Sequence, residues 1–395
     1  MTALAEAWVD LEAIGHNTVL LAKAAPGAEL MAVVKANAFG HGATAVARTA
    51  LAHGATWLGV TSLDEALELR ADGIVAPILM WLYSPLEPLD RALDADIDVS
   101  VGSTVALAAV VRAARRTGRR AFVHLKADTG LSRGGAAPAA WPDLVAAAAE
   151  AQAAGLVRAR GVWSHLADAE HPWDPGLRRQ LHAFDEARAA ALRAGLRAPL
   201  THLANSAATL HLPETHFDLV RTGIALYGVE PVPGRRFGLR PAMTVRATIV
   251  LTKRVPAGTR VSYGSEHVTE RETTLALVPM GFADGVPRLA GRRGWVSVHG
   301  TRCRIAGRVA MDQIVVDAGD LPVSEGDTAV LFGPGDRGEP TVAQWARWAR
   351  TNPHEILTGI GARVRRRYPA GAATPGRTEG PPPPGSRRVP ADGRR

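Results

Sequence analysis

Cysteine is almost absent from this sequence: Cys303 is the only one among 395 residues. A single cysteine excludes an intrachain disulfide framework and a zinc site built from clustered cysteines, and it suits a reducing compartment. The chain also lacks a basic start followed by an apolar run, and no apolar segment is long enough to span a bilayer. We therefore expect a cytoplasmic protein with no membrane partner.

Aromatic residues are scarce as well, at 5% of the chain, whereas the formal net charge is +8. A basic protein can indicate a nucleic-acid partner. Here, however, residues 361–395 contain nine arginines against two acids, a net charge of +7, which leaves +1 for the rest of the chain. We therefore expect no nucleic-acid partner. Residues 369–395 are rich in Pro, Gly and Arg and lack apolar periodicity, which predicts a disordered tail.

Up to residue 234, short β-branched runs alternate with Ala, Leu and Arg segments of helical period. This alternation predicts βα units around a parallel sheet. Eight units favour a (β/α)8 TIM barrel over a doubly wound sheet, which would carry a Gly-rich fingerprint after its first strand. The predicted strands are 31–37, 57–60, 77–81, 98–101, 121–128, 160–166, 199–205 and 217–223, and the clearest helices are 41–53, 62–71, 103–117, 139–154 and 176–194.

Beyond residue 235 the pattern changes to strands separated by Gly, Pro and Asp turns, without helices between them. This predicts a second, mainly β domain over 235–368, with a return to helix at 341–359. The first residues, to about residue 10, are free to join that domain. The interpretation is thus a barrel over 1–234, a β domain over 235–368 and a disordered tail over 369–395.

Reacting groups in such barrels come from the carboxyl ends of the strands, and polar residues are concentrated there. Lysine is rare, with only Lys23, Lys35, Lys126 and Lys253 in the chain, and two of these four fall at predicted strand ends. Because the chain otherwise uses arginine for positive charge, these two lysines suggest that an amine is needed at the strand ends. An amine can form a Schiff base. A lysine that merely snorkels at a strand end is the alternative for Lys35 taken alone.

Seven segments in order make the interpretation specific: AVVKANAFGHG, HLKADTGLSRGG, WSHLADAE, HLANSAAT, LVRTGIALYG, RVSYGSEH and GRVAMDQ. With these segments the chain resembles the alanine racemase family of fold-type III pyridoxal-phosphate enzymes over residues 8–368. The resemblance implies that Lys35 holds the cofactor as a Schiff base and acts as one catalytic base. It also implies that Tyr263, from the partner subunit of a homodimer, is the second base.

Further roles follow from the same resemblance. Those implied for the cofactor are His165 against the pyridine ring, Arg221 at the ring nitrogen, and Asn205, Ser206, Gly223 and Ile224 around the phosphate. Those implied for the substrate are Arg133 at its carboxylate, Lys126 at a position often carbamylated to orient that arginine, and Met311 and Asp312 beside it. No metal site is expected. Phe39 and Ala362 stand where the family commonly has tyrosines that touch the phosphate.

The chemistry of these residue types agrees with racemisation. An arginine can only donate hydrogen bonds, so Arg221 would leave the pyridine nitrogen unprotonated and the ring a weak electron sink. A structural salt bridge is the alternative for Arg221. Racemisation also needs a base on each face of the α-carbon, and His165 and then Arg221 would poise the phenol of Tyr263. The expected reaction interconverts L- and D-alanine and supplies peptidoglycan; a racemase of broader specificity and a decarboxylase are the alternatives.

Overall fold

The structure, a computed structural model, describes residues 4–196, 198 and 200–369. The tail predicted to be disordered lies almost entirely outside the described residues. Within them the predicted fold class is confirmed: a nearly closed parallel barrel is followed by a mainly β region. No helix of the described residues has the length and apolar character that crossing a membrane requires.

Nineteen strands are described. They are β1 (Ala5–Val9), β2 (Glu29–Val33), β3 (Trp57–Val60), β4 (Ile78–Met80), β5 (Ile97–Val101), β6 (Ala121–Lys126), β7 (Val157–Trp163), β8 (Leu200–His202), β9 (Leu219–Thr222), β10 (Met243–Thr248), β11 (Leu251–Val255), β12 (Arg260–Val261), β13 (His267–Val268), β14 (Thr273–Val278), β15 (Trp295–Val298), β16 (Thr301–Ile305), β17 (Ile314–Gly319), β18 (Thr328–Phe332) and β19 (Arg365–Arg367).

Eleven α elements and five short 3-10 helices accompany these strands in the described chain. The α elements are α1 (Leu11–Ala24), α2 (Lys35–Phe39), α3 (Ala43–Ala52), α4 (Leu63–Ala71), α5 (Asp90–Asp94), α6 (Thr104–Thr117), α7 (Trp141–Ala153), α8 (Pro175–Arg193), α9 (Ser206–His211), α10 (Val342–Ala349) and α11 (Pro353–Thr358). The 3-10 helices are Pro213–Thr215, Ile224–Tyr227, Tyr263–Ser265, Phe282–Asp284 and Arg288–Ala290.

Strands β2 to β9 form the barrel in the order β8-β7-β6-β5-β4-β3-β2-β9, with parallel pairing throughout. Two backbone hydrogen bonds join the edge strands, from Asp218 to Thr201 and from Arg221 to Ala204, both 3.0 Å long. Helices α3, α4, α6, α7 and α8 follow the strands and pack outside them, so the carboxyl ends of all eight strands meet at one mouth.

Side-chain caps fix where several of these helices begin. Asp10, Ser62, Ser103 and Asn205 each accept a hydrogen bond from a backbone amide in the first turn of α1, α4, α6 and α9. Ser62 also forms a capping box with Glu65, whose carboxylate accepts from the Ser62 amide. Such caps satisfy amides that have no intrahelical partner. They hold the loops at the barrel mouth in defined positions.

The first predicted strand is too long at its carboxyl end. The prediction extended it to residue 37, but β2 ends at Val33 and Lys35 begins α2, a single turn. Residues Ala36 to Phe39 of this turn have φ between 52° and 53°, the left-handed region that residues with a Cβ rarely adopt. Such a conformation costs roughly 1–2 kcal/mol per residue. The alternation of apolar and polar residues that predicts a strand does not reveal it.

The second sheet has nine strands in the order β11-β14-β17-β16-β15-β18-β10-β1-β19. The amino-terminal strand β1 pairs antiparallel with β10 and parallel with β19. The chain therefore enters this sheet first, runs through the barrel and returns. Helices α10 and α11 lie within the predicted helical stretch 341–359 and bring the carboxyl end of the described chain back toward α2.

Candidate active site

A cavity of about 650 Å³ opens at the carboxyl ends of the barrel strands. Nine of the twelve predicted site residues line it: Lys35, Lys126, Arg133, His165, Asn205, Ser206, Arg221, Gly223 and Ile224. Among the described residues, the lining includes four Lys and Arg side chains and one carboxylate, that of Glu170. The cavity is therefore electropositive and suits a ligand with anionic groups.

Lys35 enters the cavity from the left-handed turn α2, and neighbouring side chains brace this turn. The Glu65 carboxylate accepts from the Ala36 amide (2.6 Å) and from the Thr61 amide (2.7 Å). On the other side, the Asn37 carboxamide oxygen accepts from the Ala43 amide (2.8 Å). A strained backbone persists only where its surroundings hold it in place, so these contacts fix the direction of the Lys35 side chain.

The surroundings of both cavity lysines make the neutral amine easier to form than it is in water. Burial lowers the pKa of Lys35, and the positive charge of Arg133 lowers it further. Burial, with Arg221 and Arg133, lowers the pKa of Lys126 to about 8. The Lys126 ammonium lies over the Trp163 ring, 4.5 Å from its centre. A neutral amine is the form that attacks a carbonyl or accepts a proton.

Arg221 is buried at the floor of the cavity and is surrounded by acceptors. Its Nη2 donates to the carbonyls of Ser164 (2.8 Å) and Leu203 (3.1 Å) and lies 3.2 Å from His165 Nδ1. Its Nη1 lies 3.3 Å from His202 Nδ1. Burial lowers the pKa of Arg221 to about 9, which still leaves the guanidinium charged at neutral pH.

Two histidines flank this arginine, and both are neutral. The pKa of His165 lies well below its usual value because of burial and then the charge of Arg221. Burial, His124 and Arg221 likewise lower the pKa of His202. Since arginine only donates, each Nδ1 facing it must be an unprotonated acceptor. The proton of His165 therefore lies on Nε2.

Two short helices begin at the opposite wall of the cavity. Ser206 Oγ accepts from the amides of Gly223 (2.9 Å) and Ala225 (3.3 Å), and its hydroxyl hydrogen is left to donate. Asn205 caps α9 through its side-chain oxygen, and Ile224 begins the 3-10 helix beside it. Ser206 and Asn205 satisfy several of the first amides of these helices, so the donors that this wall presents to an anion are the Ser206 hydroxyl and the Ile224 amide.

Three predicted site residues lie outside the cavity of their own chain. Tyr263, Met311 and the side chain of Asp312 are 71%, 56% and 60% exposed. They share one surface of the β region, because Ser262 Oγ donates to the Arg308 carbonyl (2.8 Å) and so ties the two loops together. Asp312 pairs with Arg363 (2.8 Å) on this surface. The structure thus places these three residues on one surface, and none of them lines the cavity that contains Lys35.

Sequence reasoning missed several cavity residues. Trp81 and Trp163 line it as apolar walls, and their place at the ends of β4 and β7 was the available signal. His354, on α11, lines it as well and packs on Phe39 with ring centres 5.7 Å apart. Its pKa is lowered by burial and by Lys35. Nothing in the sequence around His354 indicates that a carboxyl-terminal helix reaches the barrel mouth.

Comparisons with known proteins agree on one family. The model of the alanine racemase N-terminal domain matches residues 9–231, and that of the alanine racemase C-terminal domain matches residues 242–368. The alanine racemase of Thermobifida fusca is 55% identical over 93% of this chain and 99% of its own.

Solved structures show the same relationship. The alanine racemase of D-cycloserine-producing Streptomyces lavendulae has 53% identity and a TM-score of 0.92 over 94% of this chain and 98% of its own. That of Bartonella henselae, solved with covalently bound pyridoxal phosphate, has 30% identity and a TM-score of 0.83 over 93% of this chain and 100% of its own.

Proposed function

The chain belongs to the alanine racemase family of isomerases, and from this premise we propose a pyridoxal-phosphate enzyme that interconverts L- and D-alanine with two bases. The observation that carries the proposal is the cavity that joins a poised lysine, a buried arginine flanked by neutral histidines, and a wall of hydrogen-bond donors. A racemase of broader specificity uses the same groups and differs only in the room left for the substrate side chain.

The residues present fit pyridoxal phosphate. The Ser206 hydroxyl and the Ile224 amide suit the phosphate dianion, and Gly223, whose amide donates to Ser206 Oγ, lies beside them. A side chain at position 223 would lie 3.1 Å from Phe39, so a glycine there keeps the backbone open toward the cavity. Lys35 would hold the aldehyde carbon covalently, His165 would lie against the ring, and Arg221 would face the ring nitrogen. When bound, the cofactor withdraws electrons from the α-carbon of the amino acid and so acidifies its hydrogen.

The remaining residues would bind the substrate and move its proton. Arg133 supplies a cation for the carboxylate, and Lys126 beside it shapes that end of the cavity. Lys35 takes or returns the α-hydrogen on one face. Tyr263 does so on the other, where the Nε2–H of His165 would donate to the phenol oxygen and stabilise its anion. Met311 and Asp312 close the substrate side from the surface that carries Tyr263.

A head-to-tail homodimer would bring Tyr263 to the cavity of its partner. The surface around this tyrosine exposes several large apolar side chains, and so does the barrel mouth, where Leu82 lines the cavity. Exposed apolar patches of this kind are typical of interfaces. The exposed members of the first patch are Tyr263, Phe282, Leu289 and Met311; those near the mouth are Leu82, Leu86 and Trp173.

The first test is covalent attachment of the cofactor. Purified enzyme reduced with borohydride should retain the cofactor on the peptide that contains Lys35, because reduction of the Schiff base proposed there gives a stable secondary amine. Peptide mapping by mass spectrometry reads the result, and the Lys35→Ala variant is the control. Label on Lys126 would overturn the assignment.

Chiral analysis of product from each of several L-amino acids then measures the substrate range, with alanine expected to be the best.

The D-alanine formed would supply peptidoglycan synthesis in the cytoplasm. This assignment follows from the product, since D-alanine is a building block of that polymer, and from the expectations that the sequence raised about the compartment. A decarboxylase would instead release CO2 from the same substrates. Measurement of CO2 beside chiral product therefore separates the two reactions in a single assay.

A further inference from the structure

A line of buried polar groups leads from Arg221 away from the cavity and into the barrel interior. His202 Nδ1 lies 3.3 Å from Arg221 Nη1, and its Nε2 lies 2.8 Å from His124 Nδ1. His124 Nε2 lies 3.1 Å from Asp98 Oδ2, and the other oxygen of this carboxylate accepts from Arg160 (3.0 Å). We call Asp98, His124 and His202 the buried relay. None of the three exposes more than 1% of its surface.

The two ends of this line fix the direction of every hydrogen bond in it. An arginine only donates and a carboxylate only accepts. His202 must therefore accept at Nδ1 and donate from Nε2. His124 must in turn accept at Nδ1 and donate from Nε2 to Asp98. A single arrangement with both rings neutral satisfies all the groups, and reversing any one bond leaves two donors or two acceptors facing each other.

The barrel is built to admit this line. A Cβ at Gly161 on β7 would lie 2.2 Å from His124 Nδ1, so the ring occupies space that a side chain would take. Trp163 stacks on His202 with ring centres 5.4 Å apart and an angle of 6° between the planes. The outer end is closed by Arg160, whose guanidinium lies over the Phe122 ring at 3.7 Å. Packing thus holds each ring in one orientation and excludes water.

We propose that the buried relay positions Arg221 for racemisation. Asp98 acts through His124 to keep the Nδ1 lone pair of His202 directed at the guanidinium. This acceptor holds the Arg221 side chain in its orientation at the cavity floor. The inference rests on the proposed role of Arg221 toward the cofactor. It assigns Asp98 and His124, which do not line the cavity, as positioning residues. A merely structural relay would fill the barrel interior without affecting which reaction the bound cofactor undergoes.

The discriminating variant is Asp98→Asn, which keeps the shape of the side chain but can donate as well as accept. The reversed arrangement then becomes available, and it aims an N–H of His202 at Arg221. We expect transamination per racemisation turnover to rise about tenfold, with the KM for alanine within about twofold. Pyridoxamine phosphate formation and D-alanine formation measure the ratio. An unchanged ratio in folded holoenzyme contradicts the proposal.

Two further variants make this result specific. Asp317→Asn removes the charge of a half-buried carboxylate in the second sheet, where it accepts from the Gly319 amide (3.0 Å), and should leave the ratio unchanged. His124→Phe interrupts the relay and should raise the ratio as Asp98→Asn does. The double variant should add nothing, because residues acting through one path are not additive. An additive double variant contradicts the relay.

The wild-type holoenzyme allows the two tautomers of the relay to be measured directly. With ¹⁵N-labelled histidine, the NMR signals of His124 and His202 should show both rings neutral, with the proton on Nε2. Loss of one ring's signals in His124→Phe identifies His124, and the same loss in His202→Phe identifies His202. A proton on Nδ1 of either ring, or a doubly protonated ring, overturns the relay. Wild-type cofactor binding and racemisation are measured in the same preparation, so failure of the proposed function is seen separately.

Discussion

Homodimers of Lys35→Ala and of Tyr263→Phe should each lose racemase activity by about 10²- to 10⁴-fold, and mixing the two should restore activity. Each homodimer lacks one of the two bases in every site. A heterodimer, however, contains one site with the intact Lys35 of one subunit and the intact Tyr263 of the other. Free exchange makes half of the dimers heterodimers, so roughly a quarter of the wild-type sites should return.

A matched control separates a shared site from a site within one subunit. Heterodimers of wild type with the double variant Lys35→Ala/Tyr263→Phe should have no active site if the site is shared. They should keep one if Tyr263 serves its own barrel. Differently tagged subunits allow both heterodimers to be purified and assayed directly. Activity in the wild-type/double-variant heterodimer, with none in the heterodimer of single variants, would contradict the shared site.

Replacement of Arg221 by glutamate should lower racemisation by about 10²-fold and raise transamination per turnover by at least as much. A carboxylate accepts hydrogen bonds, so the pyridine nitrogen of a bound cofactor could keep a proton. A protonated ring would withdraw electrons from the α-carbon more strongly, and return of a proton to that carbon would be slower. The same change leaves the carbonyls of Ser164 and Leu203 without the donor they have now.

Arg221→Lys is the matched control for this loss of contacts. Lysine also only donates but lacks the fork that reaches both carbonyls, so it should slow racemisation while transamination per turnover stays near the wild-type value. Thermal unfolding and cofactor binding of both variants show whether each is folded. Equal ratios in the glutamate and lysine variants would show that donor character at this position does not select the reaction.

Most of the cavity could be predicted because strand ends in a parallel barrel share one mouth. β3 was predicted with the bounds that the structure shows, and Lys126, His165 and Arg221 lie in the cavity as their positions at strand ends indicated. Residue type at a strand end is a local property of the chain. The prediction of cavity residues therefore stays correct when a strand's length is wrong by a few residues, as it is at β2.

The rest depends on which distant residues meet, and local pattern does not encode that. Asp98 and His124 lie on neighbouring strands with inward faces, but only the register of β5, β6 and β7 shows that they bond and that Gly161 makes room. The left-handed turn after β2 has no glycine until position 40. His354 lines the cavity because α11 returns toward α2, and this return is a property of the whole fold.

The most direct test of two bases on opposite faces is solvent exchange of the α-hydrogen in D2O, measured for each alanine enantiomer with Tyr263→Phe holoenzyme. Wild type should exchange both enantiomers. The variant should exchange one enantiomer within about tenfold of wild type, through Lys35, while exchange of the other and racemisation both fall by more than about 10²-fold. Exchange of both enantiomers at wild-type rates, or of neither, would contradict the two-base account.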